Sequence, residues 1–220
     1  MREYESFTDF VDGGDPGVDA TDANVTVFDD VDHSGLDARE QRWERVVFRR
    51  CRFIDANLDA LITVGCTFVE CDFTRADLNR SRHERSAFLD CEFRESILLS
   101  AYFHDCKLSG SRFDAVALSG VQFNGGDLSG VCMLDADLSG VDLSELSLAG
   151  AVLTRADLSG CNLGGADLRE AELTGAVLQN ANLRGALLDD LDLRVLDAQG
   201  ASVDVDQAAQ LLRAFGLYVS

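Results

Sequence analysis

The sequence predicts an all-β solenoid, a quadrilateral parallel β-helix that ends in a short α-helix. Every fifth residue from Phe48 to Leu193 is a centre position, and of these 30 positions nine are Phe, 18 are Leu and one is Met. Only Thr63 and His83 depart from this rule. The aromatic centres also recur at intervals of 20 residues, as in the series Phe53, Phe73, Phe93 and Phe113. We therefore expect five residues on each side and four sides in each coil.

A period of five excludes the ordinary regular structures. A helix needs apolar residues at i, i+3, i+4 and i+7, and a strand needs strict alternation, so neither keeps a five-residue period on one face. A short extended segment followed by a corner does, because the centre and the small residue two positions before it both point inward. The 30 units give 7.5 coils, or a rod of about 36 Å at the ~4.8 Å spacing of paired strands.

Glycine marks the corners in the later half of the chain. Eleven of the 19 glycines lie two residues after a centre, between Gly110 and Gly200. A corner often requires a positive φ, which glycine adopts without a steric penalty. The alternative, a disordered tract of biased composition, lacks large apolar residues in a fixed register. We therefore expect a folded rod with stacked Leu and Phe in its core.

The sequence divides into three segments. Residues 1–23 are rich in acid and glycine, and we expect them to form a flexible tail. Residues 24–203 carry the period and form the predicted β-helix, in which Phe28 falls in the same column as Phe48. Residues 204–220 lose the period and form a predicted C-terminal helix and tail.

The C-terminal segment has the start and stop signals of one amphipathic helix. Asp204 and Gln207 have the spacing of a capping box, and Gly216 fits a left-handed helix stop. The apolar residues between these signals are Ala208, Ala209, Leu211, Leu212 and Phe215. We expect this helix to cover the open edge of the last coil.

The charge is strongly acidic and unevenly distributed. The formal net charge is −20, of which residues 1–38 carry −10, residues 39–112 carry +1 and residues 113–220 carry −11. Such a charge disfavours direct contact with nucleic acid, heparin-like polymers or anionic membranes, and favours basic partner surfaces. Six arginines between Arg39 and Arg52 are expected to form a solvated surface that is partly paired with acids.

Sequence signals for targeting are missing from the N-terminal stretch. The opening MREYESFTDF has neither a basic n-region nor an apolar h-region, and no later stretch approaches the roughly 18 consecutive apolar residues of a membrane span. We expect a soluble cytoplasmic protein.

Cysteine and histidine positions disfavour a metal site. Six of the seven cysteines take the inward small position, and no C-x-x-C motif occurs. Free buried cysteine packs as a small hydrophobe. His83 takes a centre position, where we expect either a locally distorted face or a hydrogen-bonded core histidine. No GxSxG elbow, Walker loop, GxGxxG or HExxH motif appears, so we expect no catalysis, no metal and no cofactor.

A five-residue repeat of the form A(D/N)Lxx is clearest in the stretch ADLSGCNLGGADLREAELTGAVLQNANLRGALL. From about Asn24 to Val203, this repeat resembles the pentapeptide-repeat family. The ending ASVDVDQAAQLLRAFGLYVS and the stretch RHERSAFLDCEF look like segments of the MfpA/Qnr-like fluoroquinolone-resistance group. The resemblance implies a right-handed β-helix. Two features depart from the group: no loop interrupts the register, and the acidic stretch DGGDPGVDATDANV has no counterpart.

The resemblance also implies a function without catalysis. Members of this group bind DNA gyrase by imitating duplex DNA, so a DNA mimic that modulates supercoiling and lowers fluoroquinolone sensitivity is the expected function. The outward acids expected to form the partner-binding face are Asp127, Asp137, Asp142, Asp157, Asp167 and Glu172. The residues expected to join two copies into a homodimer are Leu212, Phe215, Leu217 and Tyr218.

The net charge does not support the expected DNA mimicry by itself, whereas the 20-residue interval gives it some support. Residues 39–220 carry a net charge of only −10, whereas duplex DNA carries roughly 21 charges over 36 Å, so net charge alone does not establish mimicry. The 20-residue interval does place four acids in one outward column, namely Asp77, Asp137, Asp157 and Asp197, and it places Asp127 and Asp167 in another. Two alternatives remain open: self-immunity against a gyrase-directed toxin, or a gyrase-independent protein-binding scaffold whose acids serve solubility.

Overall fold

Residues 20 apart pair in register, so the chain winds into a parallel β-helix. The computed structural model describes residues 26–113, 116, 118, 120–189 and 197–214. Strand pairing joins Phe28 to Phe48 and Phe48 to Phe68. Isolated bridges continue the same interval through one column from Asp32 to Glu172. The predicted coil of four five-residue sides is therefore confirmed.

The strands of the described chain belong to one parallel sheet. They are β1 (Thr26–Asp29), β2 (Arg42–Glu44), β3 (Val46–Arg49), β4 (Ile62–Val64), β5 (Thr67–Val69), β6 (Arg82–Glu84), β7 (Ala87–Leu89), β8 (Tyr102–Lys107) and β9 (Gln122–Asp127). β1, β3, β5 and β7 stack on one side, and β2, β4 and β6 stack on the neighbouring side. β8 pairs with both β6 and β7, because its six residues cross the corner between these sides.

The corners hold residues of many types in the left-handed backbone region. Among the described residues, 14 glycines and 19 other residues have positive φ, including Ala60 at 56° and Arg45 at 54°. A left-handed conformation costs about 1–2 kcal/mol for a residue with a Cβ. Hydrogen bonds between coils offset this cost, as where the N–H of Ala60 donates to the carbonyl of Asn79 at 2.7 Å. Corner glycines in the later half are confirmed, but glycine is not a requirement for the corner.

One corner does require glycine. Gly125 and Gly126 both have positive φ, and Gly126 takes the inward small position with φ of 116°. A Cβ on Gly126 would lie 2.2 Å from the carbonyl oxygen of Cys106 in the preceding coil. The two backbones therefore approach more closely here than any side chain allows.

Two ladders of phenylalanine rings fill the core of the earlier coils. Phe48 stacks on Phe68 with ring centroids 4.9 Å apart, and Phe53 stacks on Phe73 at 5.0 Å. These distances match the spacing of paired strands, because each ring lies directly above its equivalent in the neighbouring coil. Leucine takes over the same two columns in the later coils, where Leu148 and Leu153 are fully buried.

Thr63 and His83, the two exceptions to the centre rule, leave the coil undistorted. They are fully buried and pair in register with each other. Oγ1 of Thr63 lies 2.8 Å from Nδ1 of His83 and 3.0 Å from Oγ of Ser86, and Nε2 of His83 lies 2.9 Å from Oγ of Ser81. The expected hydrogen-bonded core histidine is therefore confirmed. Burial lowers the pKa of His83 to about 3, so its ring is neutral.

The helix α1 (Val205–Ala214) follows the last described coil. Its capping box is confirmed, since the N–H of Gln207 donates to Oδ1 of Asp204 and the N–H of Asp204 donates to Oε1 of Gln207, both at 2.9 Å. Nε2 of Gln207 also donates to the carbonyls of Leu183 and Ala186, at 2.6 and 2.8 Å. One buried side chain thus joins the helix to the last coil. The predicted stop at Gly216 lies outside the described residues.

Candidate partner-binding surface

Outward aspartates support the corners that follow them. Oδ1 of Asp137 accepts hydrogen bonds from the N–H and Oγ of Ser139, at 3.1 and 2.7 Å. Asp142 makes the same pair of bonds with Ser144. These Asx turns satisfy N–H groups at the corner, and the bonds from Ser139 and Ser144 hold the pKa of each aspartate below its ordinary value. An acid at this position therefore has a structural role besides its charge.

The structure places four of the six predicted acids on two opposite sides of the rod. Asp137 and Asp157 are bridged neighbours in one outward column. Asp127 and Asp167 share the opposite column, with Ser147 bridged between them. Each five-residue step advances the chain by one side, so a difference of ten residues moves an acid across the rod.

Asp142 and Glu172 lie on the two remaining sides. Asp142 bridges Asn162 in one column, and Glu172 bridges Val152 in another. The six predicted acids therefore do not share one outward column, because only residues separated by multiples of 20 face the same way. The two pairs that do share a column, Asp137 with Asp157 and Asp127 with Asp167, are those that the 20-residue interval predicts. Their role in binding a partner stays a prediction.

One side of the rod is acidic without carrying a base in its outward column. We define the acidic side by its described outward residues, which are Asp37, Asn57, Asp77, Ile97, Asp137, Asp157, Val177 and Asp197. Five of these eight are aspartates. Bridges join consecutive members wherever both are described. The shared column predicted from the 20-residue interval is confirmed over these residues.

Carboxylates of the acidic side are mostly not paired with cations. Asp77 and Asp157 each accept from the backbone N–H two residues later, at 3.0 and 2.9 Å. Among the described residues of this side, the carboxylate that forms an ion pair is Asp37, which lies 2.7 Å from Arg39. The other described aspartates of this side form no ion pair, although Arg80, which is paired with Asp59, lies near Asp77.

Arginines neutralise many acids in the earlier coils. Arg50 contacts Asp29 and Asp30 at 2.5 and 2.9 Å, and Arg75 contacts Asp55 at 2.6 Å. The expectation of an arginine-rich surface partly paired with acids is thus confirmed. In contrast, the described residues of 120–189 and 197–214 hold 13 acids and four arginines. The negative charge of the described rod is therefore concentrated toward its C-terminal end.

Two exposed aliphatic side chains lie on and beside the acidic side and were not predicted from the sequence: Ile97 belongs to its outward column, and Leu99 follows two residues later. Ile97 is 45% exposed and bridges Asp77, and Leu99 is 49% exposed. A groove of about 290 Å³ lies beside them, lined by Asp59, Asp77, Asn79, Arg80, Leu99 and Ser100. The sequence could have indicated these residues, because the positions directly before and after the centre are mostly polar in the other repeat units.

The cysteines are part of the core. Cys51, Cys66, Cys71, Cys91, Cys106 and Cys161 are buried. Sγ of Cys71 lies 3.6 Å from the carbonyl oxygen of Phe48, and burial raises the pKa of the Cys66 thiol to about 11. Within the described ranges, no group of three or more His, Cys, Asp or Glu side chains is arranged to hold a metal ion.

The predicted dimerisation residues are only partly described. Leu212 is 40% exposed on α1, whereas Phe215, Leu217 and Tyr218 lie outside the described residues. None of the helices in the described part of the chain has the length and apolar character that crossing a membrane requires.

One known protein family matches most of the repeat region. The family model described as pentapeptide repeats matches in eight copies, over residues 51–82, 71–110, 96–133, 132–169 and 151–190. The pentapeptide repeat protein MfpA of Mycobacterium tuberculosis is 38% identical over 70 residues, or 32% of this chain and 38% of that protein. MfpA of Mycolicibacterium smegmatis is 38% identical over 64 residues, or 29% of this chain and 34% of that protein. The matches thus span little more than a third of these curated relatives.

Solved structures share the fold over much greater lengths. A trypsin-treated form of QnrB1, a plasmid-mediated fluoroquinolone resistance protein, has a TM-score of 0.80 at 24% identity and covers 89% of this chain and 98% of its own. Full-length QnrB1 gives 0.73 at 23% identity, covering 88% and 99%. The rod described above is therefore the same fold as that of QnrB1.

Proposed function

Since this chain belongs to the pentapeptide-repeat family, we propose that it binds DNA gyrase in place of duplex DNA, modulates supercoiling and lowers sensitivity to fluoroquinolones. QnrB1, which has the same fold, is a fluoroquinolone resistance protein. MfpA proteins match in sequence. The proposed activity requires no catalysis and no cofactor, and it places the protein in the cytoplasm with its target.

The main structural support for this proposal is the acidic side. It presents Asp77, Asp137, Asp157 and Asp197 in one column without a base, at a rise of about 4.8 Å per coil. Asp137 and Asp157 are one coil apart, whereas Asp77 and Asp137 are three coils apart and Asp157 and Asp197 are two coils apart. The carboxylates are thus spaced more widely than the phosphates of one DNA strand, which follow at ~3.4 Å. Hydrogen bonds between coils hold these carboxylates on a continuous ladder. A basic groove that binds the phosphates of DNA would also attract carboxylates held in one column.

The charge distribution supports fast association. The net charge is −20, and the described C-terminal coils hold most of the acids that lack a cation partner. Attraction between this surface and a basic groove raises the association rate, and salt screens the attraction. We therefore expect the affinity for gyrase to fall as ionic strength rises.

A gyrase supercoiling assay with charge-neutralised variants tests the proposal. The variant Asp77→Asn/Asp137→Asn/Asp157→Asn removes three charges but keeps the amide oxygen that each corner needs as an acceptor. The matched control Asp30→Asn/Asp32→Asn/Asp55→Asn removes three charges from arginine-paired carboxylates.

We expect the first variant to need at least tenfold more protein for half-inhibition, while the control stays within about threefold of the wild type. Failure of the wild type to inhibit gyrase at high excess would discard the proposal. Salt-insensitive binding of a different protein would then favour a scaffold, whereas protection of gyrase from a toxin would favour self-immunity with the same contact.

We also propose a homodimer joined through the C-terminal segment. Leu212 is exposed on α1, and Phe215, Leu217 and Tyr218 follow it in the sequence. A two-fold axis at this end would bring the acidic C-terminal coils of two copies together and lengthen the negative surface. Light scattering at micromolar concentration should give twice the monomer mass of 23.9 kDa. A monomer under these conditions would contradict the assembly.

A further inference from the structure

We propose that Ile97 and Leu99 form an apolar anchor within the acidic side, and that this anchor docks a protein surface presenting an apolar side chain among lysines and arginines. The identification of that partner as gyrase rests on the proposed function. The anchor itself follows from the exposure, position and surroundings of the two side chains.

Exposure distinguishes these residues from the rest of the described coils. The large apolar side chains exposed on the described coils are Ile97, Leu99 and Leu187. Ile97 and Leu99 flank Leu98, which is fully buried, so the pair projects outward together from one five-residue unit. Leu187 lies on a different side, in the column of Asp167. Two adjacent half-exposed aliphatic side chains form a patch that isolated surface residues do not.

Charge around the patch determines the chemistry of its occupant. Asp77 lies directly below Ile97, bridged to it, and Asp137 follows in the same column two coils above. At about 4.8 Å per coil, both carboxylates lie within roughly one Debye length of Ile97. An apolar group of a partner can reach the patch, and basic groups on either side of it would meet the aspartates. Arg80 also lines the groove, but it is paired with Asp59 and so does not neutralise these two aspartates. An acidic partner would therefore be repelled, and a wholly apolar partner would leave the aspartates without contacts.

Backbone geometry excludes docking by an added strand. The N–H of Leu99 donates to Oδ1 of Asn79 at 3.1 Å, and the N–H of Ile97 donates to the carbonyl of Ala76 at 3.0 Å. These groups are therefore already bonded within the rod. A partner must use side chains, and the groove beside Leu99 offers about 290 Å³ for one of them.

The anchor and the carboxylates would contribute differently to binding. An apolar centre within a polar rim is typical of specific protein interfaces. Charges mainly raise the association rate, whereas desolvated central contacts mainly lower the dissociation rate. Imitation of DNA by charge alone does not require an exposed aliphatic pair. The anchor would therefore give a protein partner a longer residence time than the carboxylates provide.

Interferometry with purified gyrase subunits over a range of salt concentrations tests the anchor. The variant Ile97→Ser/Leu99→Ser should increase the dissociation rate about tenfold and leave the salt dependence of association unchanged. Leu187→Ser, on another side, is the matched control and should bind as the wild type does. Both variants alter outward side chains, so unchanged melting and circular dichroism confirm that they fold.

Equal dissociation rates for the wild type and Ile97→Ser/Leu99→Ser would overturn the anchor while leaving the proposed function intact. If gyrase does not bind the wild type, the proposed function fails, and two peptides decide the anchor separately. These are KKKLLKKK and KKKSSKKK, which differ only in their central pair. The anchor predicts that the wild type binds the leucine peptide several-fold more tightly and that Ile97→Ser/Leu99→Ser loses this preference. No preference in the wild type, or a preference that survives in the variant, overturns it.

Discussion

Thr63 and His83 face each other across one coil step inside the rod, with Oγ1 of the threonine 2.8 Å from Nδ1 of the histidine. The partners of the imidazole in this cluster are hydroxyl groups, at Thr63 and Ser81. Burial without an anion lowers the pKa of His83 from 6.5 to about 3. A proton on this ring is therefore much less stable in the folded state than in the unfolded state.

Folding stability should fall as the pH drops below 6.5. The folded pKa is the lower one, so the unfolded state takes up the proton first, and stability is lost between pH 6.5 and about 3. The slope for one such group is about 1.4 kcal/mol per pH unit. Urea unfolding at pH 7, 6 and 5 measures it. The variant Thr63→Leu/His83→Phe should flatten the dependence in this window, and an unchanged slope would show that other groups cause it.

Gly126→Ala should destabilise the rod by more than about 3 kcal/mol. The added Cβ would lie 2.2 Å from the carbonyl oxygen of Cys106, and a backbone atom cannot move aside as the end of a flexible side chain can. Gly140→Ala is the control, since a Cβ there meets nothing within 4 Å and the change should cost only about 1 kcal/mol. Chemical denaturation of both variants checks the difference, and equal losses would refute the close approach.

Ala60→Gly should stabilise the rod by about 0.5–1 kcal/mol. Ala60 has a φ of 56°, where glycine avoids the strain of a Cβ but loses more backbone entropy on folding. Ala56→Gly serves as the control, because Ala56 is buried at an inward position and has no positive φ to relieve. Thermal unfolding should therefore shift upward for Ala60→Gly and downward for Ala56→Gly. A lower melting temperature for Ala60→Gly would contradict the strain.

Gln207→Leu should loosen the C-terminal end of the rod. The change removes the bonds to the carbonyls of Leu183 and Ala186 and one half of the capping box, a loss of about 2–3 kcal/mol. Gln210→Leu is the control, because Gln210 makes one long exposed contact of 3.4 Å. Hydrogen exchange at the amides of the last coil should accelerate in the first variant. Equal protection in both would show that α1 is held by other contacts.

The sequence alone sufficed for the core because a single rule governs it. Large side chains at every fifth position face inward, and even His83 obeys this geometry while departing from the rule in chemistry. The helix cap was predictable for a similar reason, since Asp204 and Gln207 act within one turn of the chain.

Other features depend on relationships that a local pattern does not contain. Corners such as Ala60 and Arg45 adopt positive φ without glycine because bonds to the next coil outweigh the local strain. The position of an acid within one repeat unit determines that it points outward but not toward which side, so the six predicted acids do not form one column. Side is set by the residue number modulo 20, and Asp137 and Asp142 consequently face different directions.

The constant 20-residue pairing gives this rod a fixed increment of growth. A duplication or loss of 20 residues would lengthen or shorten the rod by one coil, and every later side chain would still face the same side. A single inserted residue within a side would instead have to bulge outward, because otherwise every later residue would leave its column. Evolution can therefore change the length of such a molecule by duplicating or deleting 20-residue coils. The cross-section of the rod and the chemistry of each of its sides then stay the same.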